Sequence, residues 1–179
     1  MASLPVADPQ LVARAKAGNH LAFMELIEKY QQALYCTALS IVGSSWDAYD
    51  ALQETMLQAY LSLPNLKDNR TFKFWLTRIL VNKCHDLQRK QKRVIPLAHA
   101  GEQPYELTGH EENLDLLNAL EKIDFKYRLV LSLRYFQDLQ IKDIAALLKC
   151  SEATVKSRLS QGLQELKIIL GSRNDGEVL

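Results

Sequence analysis

The chain is predicted to be all-α, with two small helical domains joined by a flexible linker and the second domain a helix-turn-helix. Three observations carry this expectation. Apolar residues recur at spacings of three and four through most of the chain, with no convincing strand alternation. The stretch 94–110 holds Pro96, Gly101, Pro104 and Gly109 without sustained periodicity, which separates 1–93 from 111–179. Leu139 to Leu170, LQIKDIAALLKCSEATVKSRLSQGLQELKIIL, has the form of two helices around a short turn. A chain of 179 residues with 47% hydrophobic content allows one ordinary domain or two small ones, since a short helical module can close its own core.

The elements follow in order. Asp8 before Pro9 is a cap and first-turn signal, and Asn19 caps a second helix with a core stripe of Phe23, Leu26, Ile27, Tyr30, Leu34 and Ala38. Gly43 ends that helix, Ser44 or Ser45 starts the next, and Pro64 closes it after Leu63. A polar loop, Asn65 to Arg70, leads into Thr71 to Arg93, TFKFWLTRILVNKCHDLQRKQKR, an aromatic-led helix with a dense basic end. In the second domain a helix near Glu111 to Lys122 precedes one opened by Asp124. In the helix-turn-helix, Ile144, Ala145, Leu148, Val155 and Leu159 are placed at the contact between the two helices, and Ser151 caps the second.

A net charge of +1 conceals segregation along the chain. Residues 1–66 carry three basic against six acidic residues, net −3, whereas 67–93 carry nine against two, net +7. Residues 101–124 have one against seven, net −6, and 125–170 have eight against four, net +4. Two basic modules separated by an acidic tether attract phosphate at two places and repel it between them.

Several function classes are disfavoured. No window approaches the roughly 18 apolar residues of a membrane span, and MASLPVADPQ lacks the order of a signal peptide, so a cytoplasmic protein without membrane insertion of its own is expected. Cys36, Cys84 and Cys150 are too scattered for a disulfide framework or zinc site and are read as small buried hydrophobes. No nucleophile, metal-ligand set or Gly-rich phosphate loop accompanies the carboxylates, so neither catalysis nor a cofactor is expected.

Three surfaces remain. On the helix from about Ser45 to Leu61, Asp50, Gln53, Glu54 and Leu57 share a face suited to docking on a partner helix; a solvated acidic face is the plainer alternative. On Thr71 to Arg93, Arg78, Asn82, Asp86, Arg89 and Lys90 recur at spacings of three or four, while Phe72, Trp75, Leu76, Ile79 and Leu87 tend toward another face and are read as packing. Such a helix can hold single-stranded or opened DNA. On the last helix Glu152, Thr154, Lys156, Ser157, Ser160 and Gln161 are the expected exposed positions.

These residues resemble one family, the extracytoplasmic-function group of bacterial sigma factors, over nearly the whole chain. The resemblance rests on Asp47-Ala48-Tyr49-Asp50-Ala51-Leu52-Gln53-Glu54-Thr55, and on Phe72, Trp75-Leu76, Arg78-Ile79, Asn82 and Asp86 before the basic stretch. In the second domain it rests on Leu120, Tyr127-Arg128, Ile144-Ala145 and Thr154-Val155-Lys156-Ser157-Arg158-Leu159.

The resemblance implies that residues 1–93 dock core RNA polymerase and recognise and melt the minus-ten element, and that 111–179 read the minus-thirty-five element. The face with Asp50, Gln53, Glu54 and Leu57 would meet the clamp helices of the largest polymerase subunit. The loop Asn65 to Thr71 would help form a pocket for an unstacked non-template base, with Lys67, Arg70 and Arg78 on DNA. Lys156, Ser157 and Arg158 match positions that meet the minus-thirty-five element, with Thr154 on a phosphate. An anti-sigma protein is a further implied partner.

Two departures accompany these likenesses. Lys149 stands where many members place Gly in the turn, so the turn either differs or accepts a mildly strained residue. Gln161 and Leu163 stand where many place Arg, which shifts base preference toward adenine edges. A linker of about 17 residues spans roughly 20–25 Å as a coil and more than about 50 Å extended, so engaging both promoter elements requires an extended linker or a scaffold such as polymerase. The rival expectations are a helix-turn-helix regulator that does not bind polymerase, and a helical protein whose basic helix serves only a protein partner.

Overall fold

The computed structural model describes residues 8–91 and 111–174. The described residues form helices and two 3-10 turns, with no strand among them, as the all-α expectation requires. The chain divides into two compact units between Pro104 and Tyr105. The linker assigned to 94–110 lies outside the described residues, as do Lys92 and Arg93 at the basic end of Thr71 to Arg93.

The first unit contains α1 (Pro9–Lys16), α2 (His20–Val42), α3 (Ser45–Ser62), the 3-10 turns Leu63–Asn65 and Asn69–Thr71, and α4 (Phe72–Gln91). Its helix ends are set by local chemistry. The Asp8 carboxylate accepts from the Gln10 amide at 2.9 Å, and Asn19 Oδ1 accepts from the Ala22 amide at 3.0 Å, each satisfying a donor that the helix leaves unpaired. Gly43 adopts the left-handed φ of 75° that ends α2, and Ser44 caps α3. Pro64 does not simply close α3. It is the second residue of a 3-10 turn that continues the chain past Ser62, because proline's fixed φ suits the first turn of a helix.

α3 packs against both α2 and α4. Ala48, Ala51, Thr55 and Ala59 are fully buried at spacings of three and four, so the inward face of α3 is a stripe of small residues that lets its neighbours approach closely. Burying hydroxyls here requires partners: Thr55 Oγ1 donates to the Ala51 carbonyl at 2.6 Å, and Thr37 does the same to Ala33 at 2.8 Å. Phe72, Leu76 and Leu80 of α4 are at most 1% exposed, each worth about 1.5–3 kcal/mol of transfer free energy as an upper figure. Gln88 of α4 donates to the Ile41 carbonyl at 2.8 Å, pairing an acceptor near the C-terminal end of α2.

The second unit contains α5 (Glu111–Glu121), α6 (Phe125–Tyr135), α7 (Ile141–Leu148) and α8 (Glu152–Asn174). Asp124 caps α6 through the Lys126 amide at 3.0 Å. The α6–α7 turn passes through Asp138 at φ 45°, and Arg134 holds it by donating to the Leu139 carbonyl at 3.0 Å while pairing with Asp138 at 3.5 Å. Ile144, Ala145 and Val155 are buried, while Leu148 and Leu159 are half-buried. Lys149 takes the left-handed position at φ 52°, so the turn between α7 and α8 keeps its geometry and accepts a residue with a Cβ.

Gly162 is buried where α8 crosses α6. A Cβ there would stand 3.0 Å from Leu131 Cδ1 and 3.1 Å from Tyr127 Cβ, so the missing side chain sets how closely the two helices approach.

Candidate docking and nucleic-acid interfaces

On α3, Asp50, Gln53 and Leu57 are exposed along one edge, with Leu57 at 61%. Leu61, one turn further, is 65% exposed and extends this edge as an apolar strip. Its spacing of four from Leu57 is the sequence signal that places it there. Glu54 departs from the edge. It is half-buried toward α4, where Lys83 Nζ meets its Oε2 at 2.7 Å. This hydrogen bond, with the charges of Lys83 and Lys90, holds the Glu54 carboxyl below its ordinary range. Glu54, expected on the docking face with Asp50, Gln53 and Leu57, thus has its carboxylate engaged by α4.

Ala51, Glu54, Lys83, Asp86, Leu87, Arg89 and Lys90 line a cleft of about 310 Å³ between α3 and α4. Lys90 therefore lies toward Glu54, whereas Arg78 and Asn82 are exposed on an adjoining strip of α4. A helix advances about 100° per residue, so Arg78, Asn82 and Arg89 fall within about 40° of one another while Lys90 lies roughly 120° from Arg78. Asp86 and Arg89 are ion-paired. Phe72 is fully buried, and Trp75 packs against it with ring centroids 5.8 Å apart, in keeping with the packing role assigned to both.

In the loop before α4, Asn65, Lys67 and Arg70 are exposed. Arg70 forks onto Asp68, with Nη2 at 2.9 Å and Nε at 3.1 Å, while Asp68 Oδ1 also accepts from the Arg70 amide at 2.9 Å. These bonds lower the Asp68 pKa and raise that of Arg70. Lys83 and Asp68 were missed as partners: Lys83 meets α3 across 29 positions of sequence, a distance at which spacing carries no signal.

On α8, Lys156, Ser157, Ser160 and Gln161 are exposed and Arg158 is half-buried. Thr154 is less exposed than its place on the last helix suggested. It is half-buried, its hydroxyl lies 2.9 Å from Ser151 Oγ, and its amide donates to that same oxygen at 3.1 Å, so its polar atoms complete the cap of α8. Thr154, Ser157, Arg158 and Gln161 border a groove of about 420 Å³ whose far side is Lys126 and Tyr127 of α6, two lining residues that sequence spacing did not single out. Among the described residues Lys156 and Arg158 form no ion pair.

The remaining chemistry is sparse. Burial pushes the Cys36 thiol up to about 11 and Cys84 up to about 12, which leaves both inert as thiolate nucleophiles; Cys150 is half-buried. Among the described residues no His, Cys, Asp and Glu group is placed to hold a metal ion, and no helix is long and apolar enough to cross a membrane.

A helical unit with a mixed apolar and carboxylate edge, followed by a helix-turn-helix with an open cationic groove, defines a DNA-binding protein with a separate protein-docking module. The Sigma-70 region 2 family matches residues 26–94, and the Sigma-70, region 4 family matches residues 113–166. The chain is 31% identical over 151 residues to the RNA polymerase sigma factor SigV of Bacillus subtilis (strain 168), covering 80% of this chain and 88% of SigV. It is 30% identical to the ECF RNA polymerase sigma factor SigM of Mycobacterium tuberculosis (strain ATCC 25618 / H37Rv), covering 94% and 87%. A solved structure of CnrH in complex with the cytosolic domain of CnrY superposes with a TM-score of 0.68 at 28% identity, covering 93% of this chain and 98% of CnrH. The chain belongs to the sigma-70 family, in its extracytoplasmic-function group, and is an alternative sigma factor rather than a helix-turn-helix regulator that acts without polymerase.

Proposed function

We propose that this sigma factor divides its work among three surfaces. Asp50, Gln53, Leu57 and Leu61 dock the clamp helices of the largest polymerase subunit, with Glu54 bracing that edge from α4. Asn65, Lys67 and Arg70 of the loop, with Arg78, Asn82 and Arg89 of α4, take the opened minus-ten strand. Lys156, Ser157, Arg158 and Gln161 take the minus-thirty-five duplex, and Ser160 borders it. Thr154 acts through the α8 cap, and Asp86 and Lys90 shape the cleft.

The observation that carries this reading is the adjacency of α3 and α4. The exposed docking edge and the basic helix belong to one packed unit and share the Glu54–Lys83 pair, so polymerase and opened DNA can be held together. The residues work by binding and positioning. Unstacking a base costs on the order of a few kcal/mol, which a pocket formed with the loop would offset. The reaction chemistry belongs to polymerase, and the chain itself is not an enzyme and acts in the cytoplasm. The family resemblance also supports silencing by an anti-sigma protein, and the similar CnrH was solved bound to the cytosolic domain of CnrY.

The test is run-off transcription from a genomic fragment library with core polymerase, comparing wild type with Gln53→Ala/Leu57→Ala. Initiation at a small set of promoters sharing a motif, lost in the variant while its melting is unchanged, is the expected result. Core polymerase that stays silent while the chain alone binds duplex DNA would replace the proposed docking assignment.

A further inference from the structure

The loop proposed to capture a minus-ten base is held by α1 as well as by its own internal bonds. Its anchors are Leu63 and Leu66, 2% and 6% exposed, and Asn69, which is half-buried; its outward residues are Asn65, Lys67 and Arg70. Both 3-10 turns pack on α1, an element the functional reading leaves unused. Two side-chain bonds complete the attachment. Lys16 Nζ, at the last turn of α1, donates to the Leu66 carbonyl at 2.5 Å in a part-buried setting, and Asn69 Nδ2 donates to the Pro9 carbonyl at 3.2 Å. The loop is thus tied near both ends of α1, once at each side of the exposed Lys67.

Lys16 makes no ion pair among the described residues, and its charge is directed to a backbone acceptor. A charge-assisted bond of this kind is stronger than a neutral one and fixes the carbonyl it reaches. A lysine elsewhere on α1 would serve solubility equally well, so its position against Leu66 points to geometry. We infer that Lys16, supported by Asn69, is a positioning residue for minus-ten base selection, with α1 as the frame that sets the capture loop. This rests on the reading that the loop receives the unstacked base. The bases contact residues 65, 67 and 70; Lys16 acts through them.

The experiment uses the full chain with core polymerase and four versions of one recovered promoter, differing only at a single minus-ten base. Lys16→Met, Lys16→Arg and the loop variant Asn65→Ala/Arg70→Ala are compared with wild type for run-off yield, core polymerase affinity and thermal melting. Lys16→Met is expected to compress the ratio between the best and worst templates by about five- to tenfold, as loss of one charge-assisted bond implies. Polymerase affinity should hold, melting should fall only modestly, and Lys16→Arg should restore most of the ratio. An unchanged ratio in Lys16→Met, with the loop variant altering it, overturns the positioning role alone. A loop variant that also leaves the ratio unchanged overturns the base-capture reading beneath it. An equal loss on all four templates with lowered melting would mark Lys16 as merely structural and equally overturn the inference.

Discussion

α4 with its preceding loop and α8 both present basic groups on the surface, yet the two sets differ in state. In the first unit part of the charge is already answered from within, Glu54 with Lys83, Asp68 with Arg70 and Asp86 with Arg89, while Lys67 and Arg78 have no ion pair among the described residues. On α8, Lys156 and Arg158 have no ion pair among the described residues. A paired cation must exchange its partner to meet a phosphate, whereas an unpaired one only releases counterions. The first unit therefore meets DNA partly through cations, Arg70 and Arg89, that must leave a partner, whereas Lys156 and Arg158 of the second need not.

The comparison is broken most severely by unseating α8. Gly162→Ala forces a methyl against Leu131 and the Cβ of Tyr127, which cannot swing away, so overpacking should cost about 2 kcal/mol and lower the melting of the second unit by on the order of 10 °C. Hydrogen exchange should rise in α6 and α8 and stay unchanged in α2 to α4; protection lost in both units alike would show that the effect is not local.

Removing the cap is the next step down. Ser151→Ala withdraws the oxygen that accepts from Thr154 and should cost about 1 kcal/mol, read by denaturant unfolding. Lys149→Gly acts in the opposite direction at the same turn. A non-glycine residue at φ 52° is disfavoured, so the change should stabilise by a similar, about 1 kcal/mol, amount. A destabilised glycine variant would mean that Lys149 contributes contacts beyond its backbone.

The smallest effect belongs to the first unit. Glu54 and Lys83 have side chains 44% and 25% exposed, so solvent screening limits their pair to below about 1 kcal/mol, and Glu54→Gln should change stability at neutral pH by no more. The folded carboxyl has a pKa below its unfolded value. Its contribution is present above the unfolded pKa, near 4.3, and is lost as pH falls through the folded value. Wild type and variant should therefore converge in stability as pH falls below the unfolded value and through the folded one, as urea titrations at several pH values would reveal.

The features legible in the sequence are those whose cause is local. Asp8, Asn19, Gly43, Asp124 and Ser151 mark helix ends because capping needs only neighbouring residues, and all of them do so in the structure. Thr154 shows where this fails within the same motif. Three positions past a serine cap, it reads equally as an exposed contact or as a capping partner, and only the folded turn shows the capping bonds. Glu54–Lys83 and Lys16–Leu66 join residues far apart in sequence, so spacing rules are blind to them. Gly162 resembles any helix glycine until α6 is laid across it. The face of α4 was readable in outline, but helical rotation moves Lys90 from the Arg78 strip toward Glu54.

The most direct measurement is the salt dependence of DNA binding by the chain without polymerase, on a minus-thirty-five duplex and on a minus-ten single strand, for wild type, Lys156→Ala and Lys83→Ala. Lys156→Ala is expected to reduce the log–log salt slope on duplex by about one, while Lys83→Ala leaves both slopes unchanged and the single strand binds weakly until core polymerase is added. Tight single-strand binding by the free chain, with a slope that Lys83→Ala lowers as much as Lys156→Ala does on duplex, would contradict the division between a partly paired and an unpaired DNA surface.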